Sequence, residues 1–503
     1  MRDHAPIELS KFNGLYQRGE PEEVPLDHFV DCENLQFIGD YSIESRYGIG
    51  PHQDLAAVPL QNIVRFYNYI TSVGSTLLVL TYDGTTGKIY HVVTSALMYG
   101  PILTITGMED FTFVPYGGRA YISPFKTYVV GGLNQEKGLQ SEFLYVYAGD
   151  GTAARKAAGA TPAGTVTVAN GAAGHTDAGN KLFAVVGETN SGYLSAPVAF
   201  SALFSTSAAL SVSFANVPTF SGSQWTKRHL VATVSIVDYN GDNRGYTYYF
   251  IPNATINNNT ATTLSNISFY DADLLDDASH LLDNYAEIPA GVRLTLYHDR
   301  LVLTTSYTDI SVALVSAAGE PEAISQIDGL LVIPPDGNPI TNAQELRDVL
   351  YLFKRAKTVA FVDNGEEPSS WQMTVIDQAY GSGVHGISTV IDSGSSMVDY
   401  LLVANYKGIL IFSGNYIIPE LSWKIADFWA DQDRDDFRLV QLVNEPISQN
   451  LYCTLTDGRV LVGNYTNGLD PGKIRWVPWR FNTRINTIAL INIDTLVFGS
   501  EGS

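Results

Sequence analysis

Apolar residues in this chain recur in short runs that are separated by glycine-bearing turns. The clearest runs lie between Leu346 and Trp423, where segments rich in Val, Ile, Leu, Tyr and Phe are interrupted by Asn-Gly, Gly-Ser-Gly and Lys-Gly. This punctuation is typical of short antiparallel strands that are joined by tight turns. No helical spacing of apolar residues competes with it in this stretch, so the pattern predicts β-hairpins.

The hairpin pattern repeats along the chain. Its first strands are marked by Leu35, Leu78, Ala120, Leu301, Leu350, Leu402, Tyr452 and Val497. Apart from one central gap, neighbouring markers are 42 to 52 residues apart, and four-stranded propeller blades repeat at about 40 to 50 residues. If the first and last hairpins share a blade, the markers predict a seven-bladed β-propeller, with six or eight blades as alternatives. A β protein with hairpins at loosely similar spacing and no true repeat is the other interpretation.

Individual segments give more specific expectations. The hairpin Leu401 to Phe412 recurs as Leu451 to Gly463, and Thr495 to Gly502 is interpreted as a shortened third copy. The proline-led segment Ile417 to Trp429 predicts one short helix. A propeller closed by its two chain ends avoids an open sheet edge, so we expect Leu35 to lie near Val497.

The central gap has its own pattern. A stretch rich in Gly, Ala and Thr begins at Gly149 and predicts a linker. About seven short strands follow at 10- to 15-residue spacing, which favours an antiparallel sandwich. We therefore predict an all-β chain in which residues 1–150 and 288–503 form a propeller and residues 161–276 form an inserted immunoglobulin or fibronectin III-like β-sandwich.

Charge restricts the classes of function. The net charge is −22, from 52 acidic and 30 basic residues. A surface of this sign repels phosphate backbones, which excludes a protein that grips nucleic acid but is compatible with DNA passing by. Cys32 and Cys453 are too few for a disulfide scaffold or a cysteine-rich metal site, so we expect two reduced thiols in strands. The chain has no secretory signal and no window of about 18 apolar residues, which predicts a soluble product made in a cytoplasm.

Two loops contain motifs that can carry chemistry. Gly381 to Gly386 reads G-x-G-x-x-G, but the residues that follow are β-branched and then rich in Gly and Ser, so a blade turn is favoured over a nucleotide site. Asp431, Asp433 and Asp435 alternate as in a calcium loop, but Asp436 and Leu442 stand where that loop needs Gly and Glu. The sequence therefore favours a solvated acidic loop, and cation binding stays open as the alternative.

The sequence contains no recognisable catalytic motif. Its nine histidines are scattered without an H-E-x-x-H motif, and it has no G-x-S-x-G motif and no phosphate-binding loop. The paired carboxylates of a glycosidase stay open, because such pairs meet in space rather than in sequence. Five tryptophans are candidate sugar platforms, although aromatic residues in blades are more often core: Trp371, Trp423, Trp429, Trp476 and Trp479. We predict no enzyme activity, no cofactor and no metal.

The segment Asp31 to Gly50, with an Asp-Cys-Glu-Asn-Leu strand, a Gly-Asp turn, Ser-Arg and Tyr-Gly-Ile-Gly, resembles the opening of β-propeller tail proteins of tailed bacteriophages. The insert is similar to the fibronectin III-like domains of these proteins, with matching phrases at Gly187–Thr189, Ser195 and Pro197, Arg228–Thr233, Tyr248–Phe250, Asn258–Thr260 and Asp271–Leu274. It departs from them at His229, where the usual residue is apolar. Further phrases follow at Gly291–Tyr307, Asp336–Asn338, Leu350–Lys354 and Ile417–Trp429. The resemblance covers about nine-tenths of the chain.

This resemblance implies the tail nozzle, or tail tube, of a short-tailed double-stranded DNA phage. Such proteins form a ring, commonly a homohexamer, below the head-to-tail adaptor in the virion. There they extend the DNA channel, hold back and then pass the genome without specific binding, and offer a surface to tail fibres. A receptor- or glycan-binding tail protein is the alternative, followed by a propeller glycosidase.

Overall fold

The computed structural model describes residues 12–18, 24–25, 27–38, 42–46, 62–71, 74–94, 97–158, 162, 164–190, 192–220, 225–278, 281, 287–325, 327–391, 399–433, 437–491 and 495–500. Strands dominate these residues, and every pair of neighbouring strands in their sheets is antiparallel. Six sheets have four or more strands, and apart from β9 their strands follow one another in chain order through turns and loops. This is the meander that the hairpin pattern predicts for propeller blades.

The six larger sheets are blades I to VI in chain order, and the two-stranded sheet β36-β37 is blade VII. Blade I contains β3 (Ile63–Thr71), β4 (Gly74–Tyr82), β5 (Thr86–Val92) and β6 (Met98–Thr106). Blade II contains β7 (Asp110–Tyr116), β8 (Arg119–Val130), β10 (Tyr145–Tyr147) and β11 (Arg155–Lys156), and β9 (Leu133–Gly138) pairs with the end of β8. Blade III contains β20 (Arg293–Tyr297), β21 (Arg300–Thr304), β22 (Val312–Val315) and β23 (Leu330–Val332).

The remaining blades complete the set. Blade IV contains β24 (Ile340–Leu346), β25 (Val349–Lys354), β26 (Lys357–Phe361) and β27 (Met373–Asp377). Blade V contains β28 (Ile387–Ile391), β29 (Asp399–Asn405), β30 (Gly408–Phe412) and β31 (Tyr416–Ile417). Blade VI contains β32 (Leu442–Glu445), β33 (Asn450–Thr454), β34 (Val460–Asn464) and β35 (Arg475–Trp479). Blade VII contains β36 (Ile485–Ile491) and β37 (Thr495–Ser500).

The seven blades close into a ring. The first strand of each blade lies innermost, and each blade contacts the next through these inner strands, or through β29 beside β24, from β3 round to β36. Contact between β36 and β3 then completes the circle. Buried side chains of blades I and VII, including Phe66, Val79 and Val497, share one hydrophobic cluster at this junction. The predicted β-propeller is therefore confirmed, with seven blades in the part of the chain that the structure describes.

The N-terminal hairpin packs where the ring closes. It consists of β1 (Leu35–Ile38) and β2 (Ser42–Ser45). The Trp479 indole donates a hydrogen bond of 2.8 Å to the carbonyl oxygen of Leu35, and Leu35 packs in one cluster with Leu496 and Phe498. The predicted proximity of the two chain ends is confirmed. The interpretation of Thr495 to Gly502 as a hairpin is wrong, because Thr495–Ser500 is a single strand that pairs with β36.

The inserted strands pair among themselves in three small sheets. The first contains β12 (Thr167–Ala173), β16 (Leu210–Ala215) and β19 (Leu264–Ile267). The second contains β13 (Gly179–Lys181) and β15 (Phe204–Thr206), and the third contains β14 (Phe183–Thr189), β17 (Trp225–Ala232) and β18 (Tyr249–Ile256). Their inward side chains, among them Phe183, Phe214 and Trp225, form a separate hydrophobic cluster. This is the sandwich architecture that the spacing of short strands predicts.

The chain segments before and after the insert lie on either side of Leu144. Ala157 donates a backbone hydrogen bond of 2.7 Å to the carbonyl of Leu144, and Leu144 donates one of 2.9 Å to the carbonyl of Ile288. Strand β11, which ends at Lys156, belongs to blade II and extends the propeller strands beyond residue 150. The two ends of the insert thus lie on either side of a single strand of blade II.

The predicted short helix is present in the proline-led segment as α1 (Ala426–Ala430). Short 3-10 helices have the bounds Asn243–Gly245, Asp271–Asp273, Pro368–Ser370, Trp423–Ile425 and Phe437–Leu439. No helix among the described residues is long and apolar enough to cross a membrane.

Candidate functional site: the propeller axis

Buried polar side chains from the inner strands meet at the axis of the propeller. Arg65 lies on β3, Asp110 begins β7, His385 precedes β28, Gln441 precedes β32 and Thr487 lies on β36. Each is at or near the start of its inner strand, so all five lie toward the same end of the axis. None of the five is more than 7% exposed.

Arg65 and Asp110 form the centre of this network. The Arg65 Nε and Nη2 atoms donate hydrogen bonds of 3.2 and 2.9 Å to the two oxygens of Asp110. Both side chains are completely buried. A two-pronged contact of this kind uses the planar fork of the guanidinium and is among the strongest hydrogen-bonded pairs in proteins.

Further contacts carry the network across the ring. Arg65 Nη1 donates a hydrogen bond of 3.0 Å to the Gln441 amide oxygen, which also accepts one of 3.0 Å from the Thr487 hydroxyl. On the other side, His385 Nε2 lies 3.0 Å from Asp110 Oδ2. Arg65 and Gln441 belong to blades I and VI, and Asp110 and His385 belong to blades II and V. Because neither pair joins neighbouring blades, these contacts span the axis itself.

Electrostatics assigns the protonation states of the three charged or titratable members. Burial disfavours ionisation of Asp110, but Arg65 and His385 outweigh it and hold the pKa of the carboxyl well below its usual range. Burial and the neighbouring Arg65 lower the pKa of His385 to about 4. At neutral pH Asp110 is therefore ionised and His385 is neutral. The guanidinium of Arg293, at the start of β20, also lies close enough to help lower the pKa of His385.

Both nitrogens of the neutral imidazole face polar groups. Nε2 lies 3.0 Å from the ionised Asp110, and Nδ1 lies 3.1 Å from the Tyr67 hydroxyl, which itself donates a hydrogen bond of 3.1 Å to the carbonyl of Phe111. Phe125, Val292 and Val384 form an apolar cluster at the same end of the axis, and the Phe125 ring centroid lies 6.0 Å from that of His385. Hydrogen bonds and apolar packing therefore close this end of the axis, although the buried Nε atom of the nearby Arg293 has no hydrogen-bond partner among the described residues. Nothing wide enough for a nucleic acid duplex can pass between atoms at these distances.

The Gly381 to Gly386 loop contributes to this closed end of the axis. It leads into β28, a strand, whereas a dinucleotide site requires a helix at that point. The Asn342 amide donates hydrogen bonds of 2.9 Å to the carbonyls of Gly383 and Val384. A Cβ on Gly381 would overlap the carbonyl oxygen of Lys354. The glycines allow close approach between backbones of blades IV and V, as expected for a blade turn.

The predicted acidic loop is described only in part. Asp431 ends α1, and the backbone amide of Asp433 donates a hydrogen bond of 3.0 Å to the Thr456 hydroxyl. Asp435 lies outside the described residues, so cation binding by Asp431, Asp433 and Asp435 stays open as the alternative to a solvated loop.

A cluster that sequence inspection missed lies on adjacent turns of blades III and IV. His298, Glu345 and Asp348 place one nitrogen and two carboxylate oxygens within 4.8 Å of one another. The turn residues have positive φ angles, 45° at His298 and 60° at Asp348, as tight hairpins require. Asp348 is 89% exposed and His298 also lies 3.5 Å from Asp363. These contacts account for the cluster as a solvated set of charges around an imidazole.

The tryptophans and cysteines fill the core. Trp371, Trp429, Trp476 and Trp479 are buried, and Trp423 is half-buried beneath Arg18, whose guanidinium carbon lies 4.9 Å from the ring centroid. The five aromatic rings are therefore occupied by protein contacts. Cys453 is buried, Cys32 is half-buried, and both are free thiols.

Comparisons with known proteins give the following. No protein-family model matches the chain, and no curated protein matches it. Among solved structures, Hsv2 from Kluyveromyces lactis aligns with 83% of this chain and 98% of its own, at 10% identity and a TM-score of 0.26. A second structure of K. lactis Hsv2, described as having a complete loop 6CD, aligns with 88% of this chain and 98% of its own, at 11% identity and the same TM-score. Similarity at this level assigns no function or partner.

The motif residues of the insert have structural roles. Arg228 is completely buried and donates hydrogen bonds to the carbonyl oxygens of Pro218, Asn258 and Ala261. His229, the residue that departs from the tail-protein pattern, lies 2.6 Å from Glu188 and 3.0 Å from Thr255. The polar residue is accommodated because its neighbour across the sheet, Glu188, supplies a carboxylate on the same face.

Proposed function

We propose that this chain is the tail nozzle of a short-tailed double-stranded DNA phage, a structural protein of the virion. The observation that carries the proposal is a closed seven-bladed propeller, interrupted after its second blade by a sandwich, in a chain with tail-protein phrases in both parts. Arg228 and Glu188, which belong to those phrases, have defined structural roles in the sandwich. The net charge of −22 adds support, because carboxylates on a channel wall keep DNA hydrated and unattached.

The closed axis defines where DNA passes in this proposal. Hydrogen bonds of about 3 Å between blades I and VI and between blades II and V cross the centre of the propeller. The proposal therefore puts the DNA channel between neighbouring subunits of a ring, commonly of six copies. Each propeller is closed at its axis and forms part of the channel wall. The ring sits below the head-to-tail adaptor, and the sandwich lies outside the channel, where it meets fibres or adjacent subunits.

The proposal predicts how the ring assembles. Many surplus carboxylates on each subunit repel their copies, and a preformed adaptor platform offsets that repulsion with added interface. The isolated chain is then largely monomeric, and rings form when it is mixed with tailless capsids that carry the adaptor. Analytical ultracentrifugation measures the first expectation, and nuclease protection of the packaged genome measures the second. Stable hexamers of the isolated chain at low salt contradict the assembly model, and failure to bind adaptor-bearing capsids contradicts the assignment.

A receptor- or glycan-binding tail protein is the alternative to this assignment. That candidate predicts binding of the isolated chain to host surface glycans without any capsid. A propeller glycosidase, the third, predicts release of reducing sugar from capsule or lipopolysaccharide.

A further inference from the structure

Two hairpin turns on neighbouring blades place a histidine beside two carboxylates. His298 is in the two-residue turn between β20 and β21 of blade III, and Asp348 is in the corresponding turn between β24 and β25 of blade IV. Glu345 lies near the end of β24. One possible ligand atom from each of the three residues lies within 4.8 Å of those of the other two. The three side chains therefore surround one small volume beside both blades.

The backbone that carries these side chains is fixed. Both central residues of each turn have positive φ angles, from 45° to 60° at His298, Asp299, Arg347 and Asp348, and this is the geometry of tight type I′ hairpins. The buried Tyr297 hydroxyl donates a hydrogen bond of 3.0 Å to the carbonyl of Asp348, so it links the two turns directly. A site on such turns needs only side-chain rotations to close around an ion.

The imidazole of His298 has a different carboxylate near each nitrogen. Its ring stacks on that of Tyr297, with centroids 4.2 Å apart and planes at 16°. Nδ1 lies 3.5 Å from Asp363 Oδ2, and Nε2 lies 3.7 Å from Asp348 Oδ1. Asp363 is itself held by the backbone amide of Gly365, which donates a hydrogen bond of 2.8 Å to Oδ1. Metal-binding histidines commonly donate their second N–H to a carboxylate in this way, which leaves the other nitrogen to bind the ion.

The carboxylates of the two turns are not paired with the arginines beside them. The charged side chains of the turns and of the strand residues next to them are Asp299, Arg300, Glu345, Arg347 and Asp348. Arg300 lies 3.9 Å from Asp363, and Arg347 donates hydrogen bonds to backbone carbonyls in blade V. Among the described residues, no lysine or arginine pairs with Glu345 or Asp348, and no hydrogen bond reaches the Glu345 carboxylate. Without an ion, only solvent and the imidazole balance these two charges.

From this geometry we propose that His298, Glu345 and Asp348 bind one Zn²⁺ ion, with Asp363 orienting the histidine. Zn²⁺ binds imidazole nitrogen and carboxylate oxygen at about 2.0 to 2.2 Å, so its tetrahedral ligand atoms are about 3.3 Å apart. The 3.7 Å between Nε2 and Asp348 Oδ1 needs little adjustment. Ca²⁺ and Mg²⁺ prefer oxygen ligands alone, so the nitrogen selects against them. The ion joins blades III and IV, and the site requires neither a ring of subunits nor DNA.

Isothermal titration calorimetry of the full chain with Zn²⁺ tests the site. We expect one tightly bound ion per chain, and a melting temperature that rises with Zn²⁺ because the ion binds the folded turns. His298→Asn should abolish this binding, and Asp348→Asn and Glu345→Gln should weaken it. Asparagine tolerates positive φ angles, so the two substitutions in the turns leave the hairpins intact.

Asp299→Asn is the matched control. It removes a carboxylate from the same turn, next to His298, at a position whose φ is 57°, and it should leave the affinity for Zn²⁺ nearly unchanged. Asp363→Asn should weaken binding about 10- to 100-fold, the usual effect of changing a residue that orients a metal-bound histidine. It should also shift the visible absorption of Co²⁺ bound in place of Zn²⁺, because that spectrum reports the geometry of the ligands.

Three results would overturn the proposal. The first is that Zn²⁺ does not bind the full chain at millimolar concentration. The second is that Zn²⁺ binds His298→Asn as tightly as the wild-type chain, which places the ion elsewhere. The third is that Ca²⁺ displaces Zn²⁺ at equal concentration, or that Asp299→Asn weakens binding as much as Asp348→Asn, which shows only a general attraction of cations to an acidic surface.

Discussion

Arg65 at the propeller axis and Arg228 in the sandwich are both completely withdrawn from solvent, but different partners compensate their charges. A carboxylate, Asp110, faces Arg65 and raises the pKa of the guanidinium despite its burial. Arg228 is bound by backbone carbonyl oxygens, and burial lowers its pKa. The ion pair joins the neighbouring blades I and II, and its two members also contact Gln441 of blade VI and His385 of blade V. In the sandwich, Arg228 instead binds carbonyl oxygens of loops within the same domain.

The difference has an energetic consequence. A buried ion pair contributes little net stability relative to apolar residues of the same shape, but removal of one partner leaves an uncompensated charge. Carbonyl groups that lose a donor are left as unsatisfied acceptors, and each costs less than a bare charge. We therefore expect the propeller axis to be the more sensitive of the two regions to single substitutions.

Asp110→Asn should have the largest effect. It leaves the Arg65 guanidinium buried without a carboxylate, which is expected to lower the free energy of unfolding by about 3 to 5 kcal/mol. Chemical denaturation measures the loss, with Asp328→Asn on an exposed loop as the control. The double variant Arg65→Met with Asp110→Leu should lose less than either single charge removal. If the double variant is the least stable, the ion pair is not compensating buried charge.

Lowering the pH should destabilise the folded chain, because His385 at the propeller axis is held neutral. The folded chain holds this imidazole neutral, with a pKa of about 4 against 6.5 in the unfolded chain, so the unfolded state binds more protons between those values. The free energy of unfolding should therefore fall as the pH drops from 6.5 to 4, by about 3 kcal/mol from this residue. Buried His91, with its pKa also lowered to about 4, adds to the same trend. His385→Gln should remove a large part of the slope, and an unchanged slope would refute the assigned protonation state.

Arg228→Met should have an intermediate effect that is confined to the sandwich. It removes the donor to the carbonyls of Pro218, Asn258 and Ala261, at an expected cost of about 2 to 3 kcal/mol. Calorimetry should show an earlier transition for the sandwich, with the propeller transition in place. A shift of the whole profile as one unit would show that the two parts unfold together.

His229→Val should change stability little, by less than about 1 kcal/mol. When the imidazole is removed, Glu188 keeps Lys227 as a charged partner at 2.7 Å, so the carboxylate is not left uncompensated. Valine restores the apolar residue of the tail-protein pattern. A loss as large as that of Arg228→Met would mean that the outer face of this sheet is more constrained than its exposure indicates.

Replacement of residues 161–276 by a short Gly/Ser linker should have the smallest effect on the propeller axis. Both ends of the insert are hydrogen-bonded to Leu144, so a short linker can close the gap. The propeller should keep its cooperative melt, while assembly into infectious particles should be impaired. A variant that does not fold would make the insert part of the propeller core, and a fully infectious one would remove its proposed interaction role.

The blades could be predicted from the sequence because apolar strands and glycine-bearing turns alternate at a regular spacing. The network of buried polar side chains at the propeller axis could not be predicted from the sequence. Arg65, Asp110, His385 and Gln441 are spread over almost the whole chain, and each is a single polar residue in an apolar strand or next to one. Their shared position near the start of successive inner strands was the available signal, and it becomes visible only after the blades have been aligned.

Cryo-electron microscopy of the ring on adaptor-bearing, DNA-filled capsids tests the central claim most directly. The measurement is the position of the DNA density relative to the propeller axes. The account predicts solid density at each axis, with side chains of Arg65 and Asp110 in contact, and DNA in an acidic channel between subunits. DNA density along the axis of a propeller, with the Arg65–Asp110 contact broken, would contradict it.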